Sequence, residues 1–433
     1  MKKIFLSCFF WVGMTGFSQK IENSETLQPF WNSLKDKNNV TQILFLGDSH
    51  TQAGFITDYL REKFQSEYGN AGRGLVFPYP LANTNGANDF SASSNSVWEA
   101  FRLTHEQEIY LQIGAGGFII GNKSQALIEI ELKNDDFNQV TIFNDPKMQG
   151  KEVELLLSDD SSLKHFVEKQ TERVSYQIQE GDTFPSLASM FNTTTTKLKK
   201  LNGTAVTQPQ VGTWIKADKV TVDYDSSFEN LLQSIDKQVF GEIYTYFQLP
   251  ISTRKLLLKT YSDDNNFYGF HFANGKNGVI FNSVGVNGAT YADFTKFPLQ
   301  FQQLKTLNPQ LLIVALGTNE GVSKITEEEF KESVENFITN WKLENKYSPI
   351  LLITPTDNTI NAQKTKKIAD WIIEISQKHQ IAYLDLYQAM GGAGYFRKAL
   401  AKKVANKDGV HLFKAGYEEQ AKVIWEAVEK SKK

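Results

Sequence analysis

The stretch Ile43-Leu44-Phe45-Leu46-Gly47-Asp48-Ser49-His50-Thr51 runs an apolar segment into a glycine turn and then into residues with helical periodicity. It reads as a buried strand, a tight turn and the first turn of a helix. A serine at such a turn is lifted clear of the sheet, and the helix N-terminus favours negative charge developing beside it. Ser49 is therefore a candidate nucleophile. A lone Gly-Asp-Ser after a strand is also an ordinary turn, so the reading depends on the rest of the chain.

Working outward, Phe55, Ile56, Tyr59, Leu60 and Phe64 recur at helical spacing and predict an amphipathic helix to about Tyr68, ended by the glycine-rich loop 69–74. The same texture returns near the other end of the chain. Leu311 to Leu316, Ile350 to Ile353 and Ile381 to Leu386 read as strands. Between them, Thr326 with Glu329 makes a capping box ahead of the stripe Phe330, Val334, Phe337, Ile338 and Trp341. Ile368, Trp371, Ile372 and Ile375 mark a further helix, and the last runs from about Ala415 to Ser431. Strand alternating with helix implies a parallel sheet covered on both faces, a three-layer α/β/α fold to which the first strand also belongs.

The middle of the chain is different. Short alternating runs such as Glu108 to Ile113, Ala126 to Leu132, Gln139 to Phe143 and Glu152 to Leu157 are separated by Gly, Asn and Asp clusters, and the pattern resumes at Gly241 to Gln248, Leu256 to Thr260 and Gly278 to Asn282. Antiparallel strands of an inserted β-sandwich have this signature. Splitting it is Val174 to Lys216: a strand, Gly-Asp-Thr, a helix with Leu187, Ala188 and Phe191 inward, a second with Leu198 and Leu201, then Leu-Asn and a closing strand after Gly212. That ordered set resembles a LysM domain, a βααβ module that binds N-acetylglucosamine-containing glycans. It departs from the family at Phe184-Pro185, and proline at a helix start is tolerated.

Before the last helix stands Lys407-Asp408-Gly409-Val410-His411. An Asp three residues before a His can hold imidazole Nδ1 and leave Nε2 free to take a proton from a serine. Gly285-Val286-Asn287-Gly288-Ala289-Thr290 and Gly317-Thr318-Asn319-Glu320 each follow an apolar strand, placing glycine turns at carboxyl strand ends, where open α/β sheets build their sites. GDS, the turn ending in Gly288, GTNE and DGVH, in that order, resemble the four blocks of the SGNH (GDSL) hydrolase family. The resemblance implies that Ser49 is the nucleophile, His411 the general base and Asp408 its orienting acid. It implies an oxyanion hole of the Ser49 and Gly288 N–H groups and the Asn319 amide, with no cofactor or metal. GDSHTQ followed by a long β insertion is similar to bacterial peptidoglycan O-acetylesterases. Asp48 reads as holding the turn and His50 as a structural neighbour.

The expected organisation is a signal peptide at 1–18, hydrolase segments at 40–82 and 283–433, sandwich segments at 83–173 and 219–282, and LysM at 174–218. Lys2 and Lys3, the apolar run from Ile4 to Gly13 and the small residues before Gln19 make the signal, so the mature chain is expected to be exported, to a periplasm, envelope or medium. Cys8, the sole cysteine, falls within it, so no disulfide is available to the mature chain. Net charge is −3 and nearly all basic residues are Lys, which argues against a nucleic-acid partner; no other segment has the length of a membrane span. The expected partner is peptidoglycan or another N-acetylglucosamine-containing glycan, and the expected activity is removal of O-acetyl groups from it. Transfer of the acetyl group to a sugar, or glycan binding without catalysis, fits the same residues. The sequence leaves open which glycan and hydroxyl, whether the sandwich touches sugar, and the oligomeric state.

Overall fold

The computed structural model describes residues 20–432 except 106–111, 147–152, 159–160, 181, 204–208, 236–238 and 262–263. The signal segment, with Cys8, and most of the strand expected at 108–113 lie outside the described residues.

The centre is a six-stranded parallel sheet. Its strands are β1 (Val40–Gly47), β2 (Asn70–Gly72), β3 (Gly278–Gly285), β4 (Leu311–Ala315), β5 (Ile350–Ile353) and β6 (Ala382–Leu384), in the order β2-β3-β1-β4-β5-β6. The apolar run around Phe45 is explained by two different cores. Ile43 and Phe45 pack with Phe30 and Leu34 of an N-terminal helix, with Leu60 and Phe64 of α2 (Phe55–Tyr68), and with Ile424 and Val428 of α7 (Lys414–Lys430). Leu44 and Leu46 face the other way, toward Phe330 and Phe337 of α5 (Glu327–Glu344) and Ile368 and Ile372 of α6 (Ala362–Lys378). Successive side chains of a strand point to opposite faces, so a strand buried on both is apolar throughout. Helix α5 starts where the sequence signals it: Thr326 accepts from the Glu329 N–H while the Glu329 carboxylate takes the Thr326 N–H.

The chain between β2 and β3 forms two antiparallel sheets. One joins Leu232–Ile235, Val153–Ser158, Lys255–Thr260, Ala126–Leu132 and Phe90–Ser94. The other joins Val239–Phe240, Tyr244–Thr253, Phe137–Asn144, Asn265–Ala273, Phe118–Asn122 and Glu99–Arg102, with Gly74–Val76 against Asn265–Ala273. Between them Val167–Gln177 pairs with Trp214–Tyr224 around the helices Phe184–Met190 and Thr195–Asn202. This βααβ unit has its own core of Ile178, Leu187, Phe191, Leu198 and Ile215, and the Glu99 carboxylate takes the Thr195 N–H at 3.0 Å.

Two segments differ from the sequence reading. Gly278 to Asn282 was expected in the sandwich, yet it opens β3 and pairs parallel with β1 from Val40↔Gly278 to Gly47↔Gly285. A short apolar run flanked by Gly and Asn has the same local pattern in either sheet, and only its partner strand decides. The loop 69–74 likewise supplies edge strand β2 and the start of a strand of the insertion. The main core of the insertion is continuous with that of the hydrolase sheet, because Ile128, Ile130, Phe270 and Phe272 join the cluster that holds Leu44 and Leu46, while Leu127, Leu156, Leu163, Phe228 and Leu257 form a smaller cluster of their own.

A buried ion cluster fastens this junction. Arg73, 2% exposed, donates to both oxygens of Asp89 and to the Leu75 carbonyl oxygen at 3.1 Å, and Arg61 of α2 donates to Asp89 at 2.7 Å. Burial raises the Asp89 carboxyl, but the two guanidinium groups overcome it and hold the group down at about 2. Asp89→Ala leaves the buried Arg73 without its carboxylate and Arg61 with Asp58 alone, and is expected to cost about 3–5 kcal/mol in chemical denaturation. Because the folded value is depressed, the stabilisation is present above the ordinary carboxylate range and is lost as pH falls toward 2.

Candidate active site

Three turns at the carboxyl ends of neighbouring strands converge. β1 ends at Gly47, opposite Gly285 of β3 on one side and Ala315 of β4 on the other. The turn after β1 enters α1 (Ser49–Gln52), which sits so low on the strand ends that a Cβ on Gly285 would lie 2.1 Å from the Gln52 nitrogen. Asp48 caps α1, its Oδ1 accepting the His50 N–H at 3.0 Å, which fits the sequence reading of a residue that holds the turn.

Ser49, His411 and Asp408, separated by up to 362 residues, meet in one line. Ser49 Oγ lies 2.8 Å from His411 Nε2, and His411 Nδ1 lies 2.8 Å from Asp408 Oδ2. Partial burial raises the Asp408 carboxyl, but the Val410 and His411 backbone N–H groups, each 2.9 Å from Oδ1, and the imidazole hold it below its ordinary value. The loop owes its shape to Gly409, whose φ of +87° puts its carbonyl in reach of the Thr359 N–H at 2.9 Å. The imidazole is positioned from one face by His50, stacked on it at 5.3 Å between centroids, and Tyr417 of α7 stands edge-on to His50. Burial lowers the His50 pKa, so the ring packed against His411 is neutral.

The structure places Gly288 and Asn319 on the turns after β3 and β4. Gly288 is exposed, with φ +83°; the half-buried Asn319, on α4 (Thr318–Val322), donates through Nδ2 to the Ala289 carbonyl oxygen at 2.9 Å. A side-chain amide has two N–H donors, so one holds the turn and the other is left for a substrate oxygen. Arg73, on the loop near Ser49 in sequence, is committed to Asp89 and Leu75. Among the described residues no group of three or more His, Cys, Asp or Glu side chains could hold a metal ion, and no helix is long and apolar enough to cross a membrane.

Gln52 is a residue the sequence reading passed over. It is 2% exposed, accepts the Asn287 N–H at 2.6 Å and donates to the Asn85 carbonyl oxygen at 2.6 Å and to Thr84 Oγ1 at 3.1 Å. Its amide thereby fixes the turn that carries Gly288 to the helix that carries Ser49. A polar residue on the first turn of a short helix offers little local sign of this; its partners lie 32 to 235 residues away. Gln52→Ala should lower kcat/KM for a small ester by about 10- to 100-fold through misplaced donors and cost roughly 2 kcal/mol of stability, read by kinetics and thermal melts.

Comparison with known proteins gives the family of two domains and a likeness of fold. A family model described as GDSL-like lipase/acylhydrolase matches residues 260–419, and a LysM domain model matches 176–217. Among solved structures, one of a peptidoglycan O-acetylesterase aligns over 94% of this chain and 95% of its own with TM-score 0.63 and 17% identity, a likeness of fold. A lipase/acylhydrolase from Enterococcus faecalis aligns over 35% of this chain and 77% of its own, at 23% identity and TM-score 0.27. No curated protein matches the chain. The chain thus carries the acylhydrolase domain of the SGNH (GDSL) family, an esterase domain, together with a LysM domain placed between its strands.

Proposed function

We propose that the chain is an exported serine esterase that removes O-acetyl groups from peptidoglycan or a related cell-wall polysaccharide through an acetyl-Ser49 intermediate. The observation that carries the chemistry is the line from Ser49 Oγ through His411 to Asp408, with both gaps 2.8 Å. Ser49 Oγ attacks the acetyl carbonyl carbon while His411 Nε2 takes its proton, and Asp408 stabilises the imidazolium on the far side. The carbonyl oxygen becomes an oxyanion that the Ser49 and Gly288 N–H groups and the Asn319 amide receive, each such donor contributing about 3 kcal/mol. His411 returns the proton to the departing sugar oxygen, breaking the ester bond. Water, activated by the same imidazole, then releases acetate.

Three features support the glycan. The LysM domain is of a type that binds N-acetylglucosamine-containing chains, the fold is shared over nearly the whole length with a structure named as a peptidoglycan O-acetylesterase, and the amino-terminal segment reads as an export signal. The test is acetate release from O-acetylated peptidoglycan, acetylated xylan and a small aryl acetate by the wild type and by Ser49→Ala. Fastest release from peptidoglycan, abolished in Ser49→Ala, is the expected result. Binding to the polymer with no hydrolysis of any acetate by either chain would remove the esterase reading.

A further inference from the structure

Immediately beneath the nucleophile and the oxyanion turn lies a set of buried polar groups that the mechanism above does not use. Glu320, the residue after Asn319, is 1% exposed. Its Oε1 accepts the backbone N–H of Tyr291 at 2.8 Å, and Asn319 donates to the Ala289 carbonyl oxygen at 2.9 Å, so consecutive side chains of α4 grip both sides of the turn that follows Gly288. The turn then enters α3 (Tyr291–Phe294), capped by Thr290 with Asp293. The second oxygen of Glu320 has no hydrogen-bond partner among the described residues, and the same holds for Asp48 Oδ2 and the Tyr291 hydroxyl, both buried.

These groups are not scattered. Asp48, on the turn after β1, repels charge on Glu320, and both carboxyls disfavour charge on the Tyr291 hydroxyl. Asp293 on α3 is the further acidic group acting on Glu320. A buried carboxylate oxygen without a partner is costly, and neighbouring negative charge raises the cost, so the protonated acid is favoured. We propose that Glu320 is a positioning residue for the oxyanion turn, held as a neutral carboxylic acid whose Oε1 takes the Tyr291 N–H.

The consequence is mechanical. Asp48 Oδ1 fixes the turn that presents Ser49 and Glu320 Oε1 the turn that presents Gly288, so charge appearing on the buried Glu320 disturbs the brace of the oxyanion turn. Burial, above all, and the neighbouring Asp48 push the Glu320 pKa up to about 8, against the Tyr291 and Glu320 backbone N–H groups that lower it. A folded value raised from 4.5 means the stabilisation is full below pH 4.5 and is lost as pH rises through about 8. Tyr291 itself is pushed by burial well above 10 and does not titrate in that window.

The inference rests on the esterase reading for its kinetic test and is independent of it for its structural one. Glu320→Ala, Glu320→Asp and Glu320→Gln would be compared with the wild type on a small aryl acetate from pH 6 to 10, with the Tyr291 amide followed by NMR over the same range. Glu320→Ala and Glu320→Asp should lower kcat on the order of 10²-fold with KM little changed. Glu320→Gln, which keeps an acceptor for Tyr291 and is neutral at every pH, should recover most of that loss. The wild type should lose kcat, and its Tyr291 amide should shift, with a midpoint near pH 8, and both transitions should vanish in Glu320→Gln. Wild-type kcat in Glu320→Ala, or an alkaline transition that persists in Glu320→Gln, would overturn the proposal. If the wild type hydrolyses no ester, the functional reading fails, and the Tyr291 titration alone decides the state of Glu320.

Discussion

His411→Ala is expected to reduce kcat for acetyl ester hydrolysis on the order of 10⁴-fold or more, because it removes the group proposed both to take the Ser49 proton and to return one to the leaving oxygen. The imidazole is half-buried and its polar contacts are Ser49 Oγ and Asp408 Oδ2, so the fold should tolerate its loss, with thermal melting little changed. The diagnostic measurement is the double variant with Ser49→Ala. Groups that act as one unit are non-additive, so the double should be no slower than the worse single. Multiplicative losses would mean that His411 and Ser49 contribute separately, and the 2.8 Å contact would not be the catalytic one.

The second large effect is expected at Asn319. Asn319→Ala removes the side-chain donor proposed for the oxyanion and should cost about 10²- to 10³-fold in kcat, with a much smaller change in KM. Part of that loss arises from freeing the Ala289 carbonyl, which the same amide holds at 2.9 Å. Asn319→Asp separates the contributions, since a carboxylate can donate to neither the oxyanion nor Ala289 and adds negative charge where negative charge develops. It should be at least as slow as Asn319→Ala. Activity in Asn319→Asp within a few fold of the wild type would exclude the side chain as a donor.

How much of this was legible differs from residue to residue. The capping box at Thr326 and Glu329, the stripe of Phe330 to Trp341 and the βααβ unit were written in local spacing, and each appears where its pattern places it. The pairing of Asp408 with His411 was also local, since three residues on one loop bring a carboxylate to Nδ1. Arg73 shows the opposite case. Nothing local to Arg73 tells whether it reaches a substrate, and its guanidinium is closed off by Asp89, which arrives with the strand Phe90–Ser94 of the insertion. His50 was read as a neighbour of Ser49, and its stacking on His411 arises only when the last helix folds back on the first turn.

The sequence by itself determined the strand-turn-helix around Ser49, the alternation that makes a parallel sheet, the LysM unit and the order of the four glycine- and histidine-containing blocks. Those are short-range properties, set by side-chain periodicity, turn chemistry and capping within a few residues. Only the tertiary structure decided that Gly278–Gly285 pairs parallel with β1, and that the insertion shares its main core with the hydrolase sheet. The same level of organisation made Gln52 and Glu320 braces for the turn after β3. Each of those outcomes depends on which apolar face or buried polar atom finds its complement across tens to hundreds of residues. Burial and hydrogen-bond satisfaction settle that choice over the whole fold, and no local pattern records it.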